Sequence, residues 1–227
     1  MFKDTKVFYI FFLAVSIFLA LYPFADIAFS KLFYHGNAQF LIKHYLTGDE
    51  YFYEYLIRRL LLPLIVVLLL FFPIVVCFFP YLKNKFKVFY FNKVDILYVW
   101  ISAFLMSIVV NNILKDNWGR ARPNDITVFD GDKEFTSWVQ HSSACSDNCS
   151  FVSGDASVGF FIASFYYITN NKKFLYASIV CGLFFGLFRI GAGAHYLSDI
   201  LMSFVVINLG LKIIHFFYYN SIKWIKK

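Results

Sequence analysis

From residue 60 to residue 82 the chain runs 23 positions without a charge. About 20 consecutive apolar residues are what an α-helix needs to cross the hydrocarbon of a bilayer, so this strip is read as a membrane span. Pro63, Pro73 and Pro80 fall near its ends or act as kinks, which neighbouring helices can re-satisfy. Comparable strips occupy 7–25, 96–114, 156–171, 174–188 and 200–219. Six transmembrane helices are therefore expected, in an all-α, polytopic membrane protein with one domain over 1–227. The 60% hydrophobic and 15% charged composition excludes an ordinary soluble domain. The strip at 7–25 exceeds a signal-peptide core and no small-x-small cleavage site follows it, so it is read as the first span.

An even number of spans puts both termini on one side. In a soluble chain a net charge of +7 would suggest nucleic acid; here the cations sit in short loops. One set of loops holds Lys3, Lys6, Lys83, Lys85, Lys87, Lys93, Lys172, Lys173, Lys223, Lys226 and Lys227, with Asp4 as its only carboxylate. The other mixes Lys31, Lys43, Lys133 and all five arginines with almost every acidic residue. The positive-inside rule assigns the first set and both termini to the cytoplasm, and the second set to the outer face.

The segment 28–55, aromatic but broken by Lys31, His35, Lys43, His44 and Asp49, fits an amphipathic helix or two in the outer interface, or a solvated loop. Spans four and five, 16 and 15 residues long, are short for a crossing. Their outer ends are expected to stop below the surface and open into a polar pocket. Of the four cysteines, only Cys145 and Cys149, in the longest polar loop, form a pair that can bond.

Chemistry concentrates at three places. His195 and Asp199 are four residues apart, so on a helix they share a face and the carboxylate can take the proton on one imidazole nitrogen. Arg189, six residues earlier across Gly191 and Gly193, can return to hold an anion there. The same residues would suit a polar pair between helices or two metal ligands. Lys115 and Arg122 lie about two helical turns apart, and Pro123 ends the helix, so two cations can face one anion or snorkel to the surface. Ser153 is a good N-cap and Gly154 lets a ligand approach the backbone, ahead of Asp155. Arg58 and Arg59 are read as an interfacial cap on the second span.

Taken in order, K-x6-R-P, S-G-x and R-x5-H-x3-D resemble the signature of the type 2 phosphatidic acid phosphatase superfamily of membrane lipid phosphatases. That resemblance implies that His195 attacks phosphorus and becomes a phosphohistidine while Asp199 orients it. It also implies that Lys115, Arg122, Ser153, Gly154 and Arg189 hold the phosphoryl oxygens. A loose phosphoryl transition state needs positioning and fixed positive charge, so neither a metal nor another cofactor is expected. The pattern departs from the family at Val152, Phe188 and Asp155. Asp155 stands where the family has the histidine that protonates the leaving oxygen. It is either the general acid, or it orients a water or another donor such as His141.

The blocks Cys149–Asp155 and Gly193–Asp199 are most similar to the branch of bacterial lipid A phosphatases, and size and aromatic content suit its 4′-phosphatases. The resemblance implies a phosphoric monoester hydrolase of a Gram-negative inner membrane, acting on a phosphate of the lipid A sugar head from the periplasmic face. A Cys145–Cys149 disulfide would be permitted there. Other readings are an undecaprenyl pyrophosphate or phosphatidylglycerol phosphate phosphatase, a lipid phosphotransferase, or a lipid-phosphate-binding protein with a degenerate site. Nucleic acid is not an expected partner; the bilayer and a phosphorylated lipid are. Charges gathered at one face rather than mid-span count against a transporter.

Overall fold

A computed structural model describes residues 3–37, 39–42, 55–78 and 93–225. The lysine-rich connection 83–92, residues 43–54 of the aromatic segment with His44, and the last two lysines lie outside the described residues.

The described chain is helical, and its only strand-like pairings are two isolated bridges, Tyr34 with Phe40 and Ile126 with Lys133. Helix α1 covers Lys3–Leu21 and α2 covers Pro23–Lys31. The two meet at a 99° bend. Pro23 causes the break, since it occupies the first turn of α2, where its missing N–H costs nothing, and cannot continue α1. The strip expected to run straight from 7 to 25 therefore turns at Tyr22.

A π-helical stretch, Tyr55–Leu61, leads into α3, Leu62–Phe78. Helix α4, Lys93–Ser107, continues as a second π-helical stretch, Ile108–Lys115. The expected fourth span is two seven-residue helices, α5 (Gly154–Phe160) and α6 (Ala163–Thr169). Helix α7 is Lys172–Gly191 and α8 is Leu197–Ile225.

Among the described residues three helical stretches are long and apolar enough to cross a membrane: Lys93–Asp125, Lys172–Gly191 and Leu197–Ser221. The bent pair Lys6–Leu21 and Pro23–Lys31 makes a fourth if it counts as one span. Helix α7, at 20 residues, is longer than its uncharged core of 174–188, because Lys172, Lys173 and Arg189 are helical too. Its length needs no special cause; α5 and α6 are short because the helix breaks at Phe161 and Ile162.

The core is aromatic. Phe12 of α1 stacks on Phe204 of α8 at 4.3 Å, and Phe160 of α5 meets Phe204 edge-on at 5.4 Å. Helices α5 and α7 touch backbone to backbone. A Cβ on Gly159 would lie 2.5 Å from the Gly182 nitrogen, and one on Gly182 would lie 2.3 Å from the Phe160 ring. Small residues allow such close approach where lipid supplies no hydrophobic drive between helices.

The long loop after α4 is tied to the end of the helix that precedes it. The Ser142, Cys145 and Ser150 amides donate to the carbonyls of Trp118, Gly119 and Arg120. Gly119, at φ +70°, is required: a Cβ there would lie 1.6 Å from the Ser142 carbonyl oxygen.

Candidate active site

Helix ends and one loop bring the three motifs to one place. Lys115 ends the second π-helical stretch, Ser153 caps α5, Arg189 sits in the last turn of α7, and Asp199 in the first turn of α8. His195 lies between α7 and α8, just past Gly193. Gly193 has φ +66°, and a Cβ there would lie 2.4 Å from the Phe40 ring, so this turn admits only glycine. Its carbonyl accepts the Asn124 amide at 2.9 Å, which fastens the turn to the loop carrying Arg122.

His195 is 2% exposed. Its Nδ1 lies 2.7 Å from the Ser150 carbonyl oxygen and 3.8 Å from Asp199 Oδ2. A carbonyl oxygen only accepts, so Nδ1 carries the proton in this contact and Nε2 keeps its lone pair in the neutral ring. Burial, reinforced by Arg189 and Lys115 and opposed by Asp199, pushes the imidazole down to about 4. The ring is thus neutral at physiological pH.

Asp199 acts on the histidine through Ser150. Its Oδ2 accepts the Ser150 hydroxyl at 2.6 Å and the Tyr196 amide at 2.9 Å, and Oδ1 accepts Arg120 Nη1 at 2.5 Å. Arg120 is fully buried and also donates to Asp26 Oδ2 at 2.8 Å, the Thr136 carbonyl at 2.9 Å and Ser198 Oγ at 2.8 Å. Asp26 in turn accepts the Ser198 amide at 3.1 Å. Two carboxylates and one guanidinium, all desolvated, need this full set of partners to be tolerated. The guanidinium also lies 4.1 Å from the centre of the Tyr196 ring.

Asn148, in the left-handed region at φ +47°, holds two of the expected phosphate ligands. Its carbonyl accepts Arg122 Nε and Nη2 at 3.2 and 2.7 Å, and its side-chain oxygen accepts Lys115 Nζ at 3.1 Å. The Cys145–Cys149 disulfide, which is formed, braces this turn. Ser153 Oγ accepts the Ala156 amide at 3.4 Å, and a Cβ on Gly154 would face Lys115 Nζ at 3.6 Å.

Asp155 is shared. Its Oδ2 lies 3.3 Å from Arg189 Nε and 3.2 Å from Arg58 Nε. Arg58, Asn111, Lys115, Gly154 and Asp155 line a cavity of about 390 Å³ together with apolar side chains such as Leu69, Leu70, Met106 and Ile207; His195, Arg122 and Arg189 are not among its lining residues. His141 is exposed on the long loop and shares no hydrogen bond or ion pair with these residues among the described contacts. No group of three or more His, Cys, Asp or Glu side chains suited to a metal occurs among the described residues.

Residues 96–223, more than half of the chain, match the sequence profile of the PAP2 superfamily. The chain belongs to the PAP2 superfamily. It is 34% identical over 214 residues to the lipid A 4′-phosphatase of Francisella tularensis subsp. novicida (strain U112), covering 90% of this chain and 91% of that protein. It is 27% identical over 198 residues to the lipid A 4′-phosphatase of Rhizobium leguminosarum, covering 81% of this chain and 83% of that one. The lipid A 1-phosphatase of Rhizobium etli is 36% identical over 117 residues, about half of each chain. No solved structure matches.

The site of this PAP2 protein holds four residues to which the motif spacing gives no role: Asp26, Arg58, Arg120 and Ser150. Arg120 lies inside K-x6-R-P, two residues before Arg122, and looks like a second surface cation until its burial is known. Pro23 was the available signal for Asp26, since a helix broken there turns its next residues back toward the protein. Ser150 meets His195 through its backbone carbonyl and Asp199 through its hydroxyl, and the carbonyl contact leaves no mark in the sequence. Arg58 reads as a rim charge and meets Asp155 only in three dimensions.

Proposed function

We propose that this chain is a membrane lipid phosphatase that removes a phosphate monoester from the sugar head of lipid A. The observation that carries the reading is a buried, neutral His195 with cations at Lys115, Arg122 and Arg189, and a cavity that shares Lys115 and is otherwise lined largely by apolar side chains. A phosphate on a lipid presents the same two surfaces. The extensive similarity to proteins named lipid A 4′-phosphatase supports lipid A as the substrate.

In the proposed reaction His195 Nε2 attacks phosphorus as the P–O ester bond breaks, and the leaving sugar oxygen takes up a proton. Water then cleaves the P–N bond, releasing inorganic phosphate and restoring the imidazole. Asp199, through Ser150 and Arg120, holds the ring and offsets its positive charge in the intermediate. Lys115, Arg122, Arg189, Ser153 Oγ and the Gly154 N–H bind the phosphoryl oxygens. No metal takes part in these steps.

Six membrane crossings complete the proposal, with both termini cytoplasmic and the site facing the periplasm of an inner membrane. Lys93 at the start of α4 and Lys172 and Lys173 at the start of α7, with Lys115 and Arg189 at the far ends of those helical stretches, support this orientation. Purified protein in detergent, incubated with lipid A, undecaprenyl pyrophosphate and phosphatidylglycerol phosphate, tests it. Phosphate release from lipid A at one sugar position, resolved by mass spectrometry and lost in His195→Ala, is the expected result. Release only from another lipid, or from none, overturns the substrate.

A further inference from the structure

Asp155 poses an electrostatic problem that the proposed mechanism leaves open. It begins α5 next to Gly154, beside the cations that would receive a phosphoryl dianion, and its charge has the same sign as that ligand. Lys115 and Arg122 both lie within electrostatic range of it. A carboxylate so placed repels the substrate unless its charge is offset.

Arg58 offsets it. The two guanidinium groups of Arg58 and Arg189 approach the same oxygen, Oδ2, at 3.2 and 3.3 Å. Arg189 is 7% exposed and fixed at the end of α7, whereas Arg58 is 39% exposed and reaches in from the π-helical stretch before α3. Resting on the phosphatase reading above, we propose that Arg58 is a positioning residue of the phosphate site. It neutralises Asp155, so that this carboxylate can fix Arg189 without driving off an incoming phosphate. Asp155 then serves as an anchor, and the proton for the leaving oxygen comes from solvent water. The atoms in contact are buried although the Arg58 side chain is 39% exposed, so thermal unfolding of each variant is followed beside its kinetics to separate a loss of fold from a loss of phosphate binding.

A double-mutant cycle tests the proposal in the full-length protein. Two readouts are used: KM and kcat on the lipid substrate, and protection of the purified protein against thermal unfolding by inorganic phosphate. Arg58→Gln is expected to weaken phosphate protection and raise KM by about tenfold, with kcat changed far less. Arg58→Lys, which keeps the charge, is expected to stay near wild type. Adding Asp155→Asn to Arg58→Gln is expected to restore most of the lost affinity, because the repelling charge is gone while the amide oxygen can still accept from Arg189. If Arg58→Gln does not purify as a monodisperse species, Arg58→Met takes its place.

The proposal is overturned by a double variant no better than Arg58→Gln, or by Arg58→Lys as impaired as Arg58→Gln. It is equally overturned if Asp155→Asn abolishes turnover while phosphate still binds, since Asp155 is then the proton donor. Phosphate protection is read without any lipid. A wild-type protein that binds phosphate but cleaves no lipid therefore defeats the phosphatase reading and leaves the charge cycle interpretable.

Discussion

At His195 one contact and burial leave Nε2 as the nitrogen proposed to react. The Ser150 carbonyl accepts the hydrogen bond of the protonated Nδ1, and burial keeps the ring from gaining a second proton. The free imidazole titrates near 6.5 and the folded one near 4. Below pH 6.5 the unfolded chain therefore gains a proton that the folded chain does not, and stability falls with pH until about 4, where the loss is complete. The full difference is on the order of 3 kcal/mol. The thermal midpoint of the wild-type protein is thus expected to fall more steeply between pH 7 and pH 5 than that of His195→Gln, which has nothing to titrate. Parallel slopes would show that the ring is not held neutral by the fold. The arithmetic of the motifs gives Lys115, Arg122, Arg189 and His195, because six or seven residues of spacing is local information. It does not give the partner of Nδ1, because Ser150 lies 45 residues away in sequence.

The elements matter by how closely they pack. Helix α5 carries Asp155 and α7 carries Arg189, and the ion pair between them depends on the contact of Gly159 with Gly182. A methyl group at 159 meets backbone atoms, which no rotamer change can move aside. Gly159→Ala is expected to cost roughly 1–3 kcal/mol or more and to lower activity as Arg189 shifts. Gly191→Ala, whose methyl would meet the Ile42 and Phe33 side chains at ordinary contact distances of 3.6 and 3.8 Å, is the mild control. Equal thermal midpoints and turnover in the two variants would contradict this account. Hydropathy strips mark where such helices lie but say little of where they break. The Pro23 bend had a visible cause, while the break between α5 and α6 falls in Phe161-Ile162, residues without a breaker signature. The π-helical stretches at Tyr55–Leu61 and Ile108–Lys115, which supply Arg58 and Lys115, are likewise invisible to a 3.6-residue pattern.

Across the whole molecule, the loop that closes the site is held covalently. The Cys145–Cys149 bridge spans only four residues, so its effect on overall stability is small beside its effect on Asn148, which grips both Lys115 and Arg122. Reduction, or the Cys145→Ala/Cys149→Ala pair, is expected to raise KM severalfold while the protein remains folded, measured as phosphate release with and without reductant. Unchanged KM would show that Asn148 keeps its place unaided. The disulfide was legible as a pairing from the loop that contains both cysteines; its purpose appears only once Asn148 is seen between two site cations.

The turn after Leu21 also bears on how the protein is made. Asp26 enters the membrane with the first helix, 172 residues ahead of Ser198, whose amide it accepts; Asp199, the other carboxylate on Arg120, follows directly. Until the last helix is synthesised, Arg120 can hold one carboxylate but not both, and the histidine has no rigid seat. The set of partners around Arg120 is therefore complete only once residues from both ends of the chain have met.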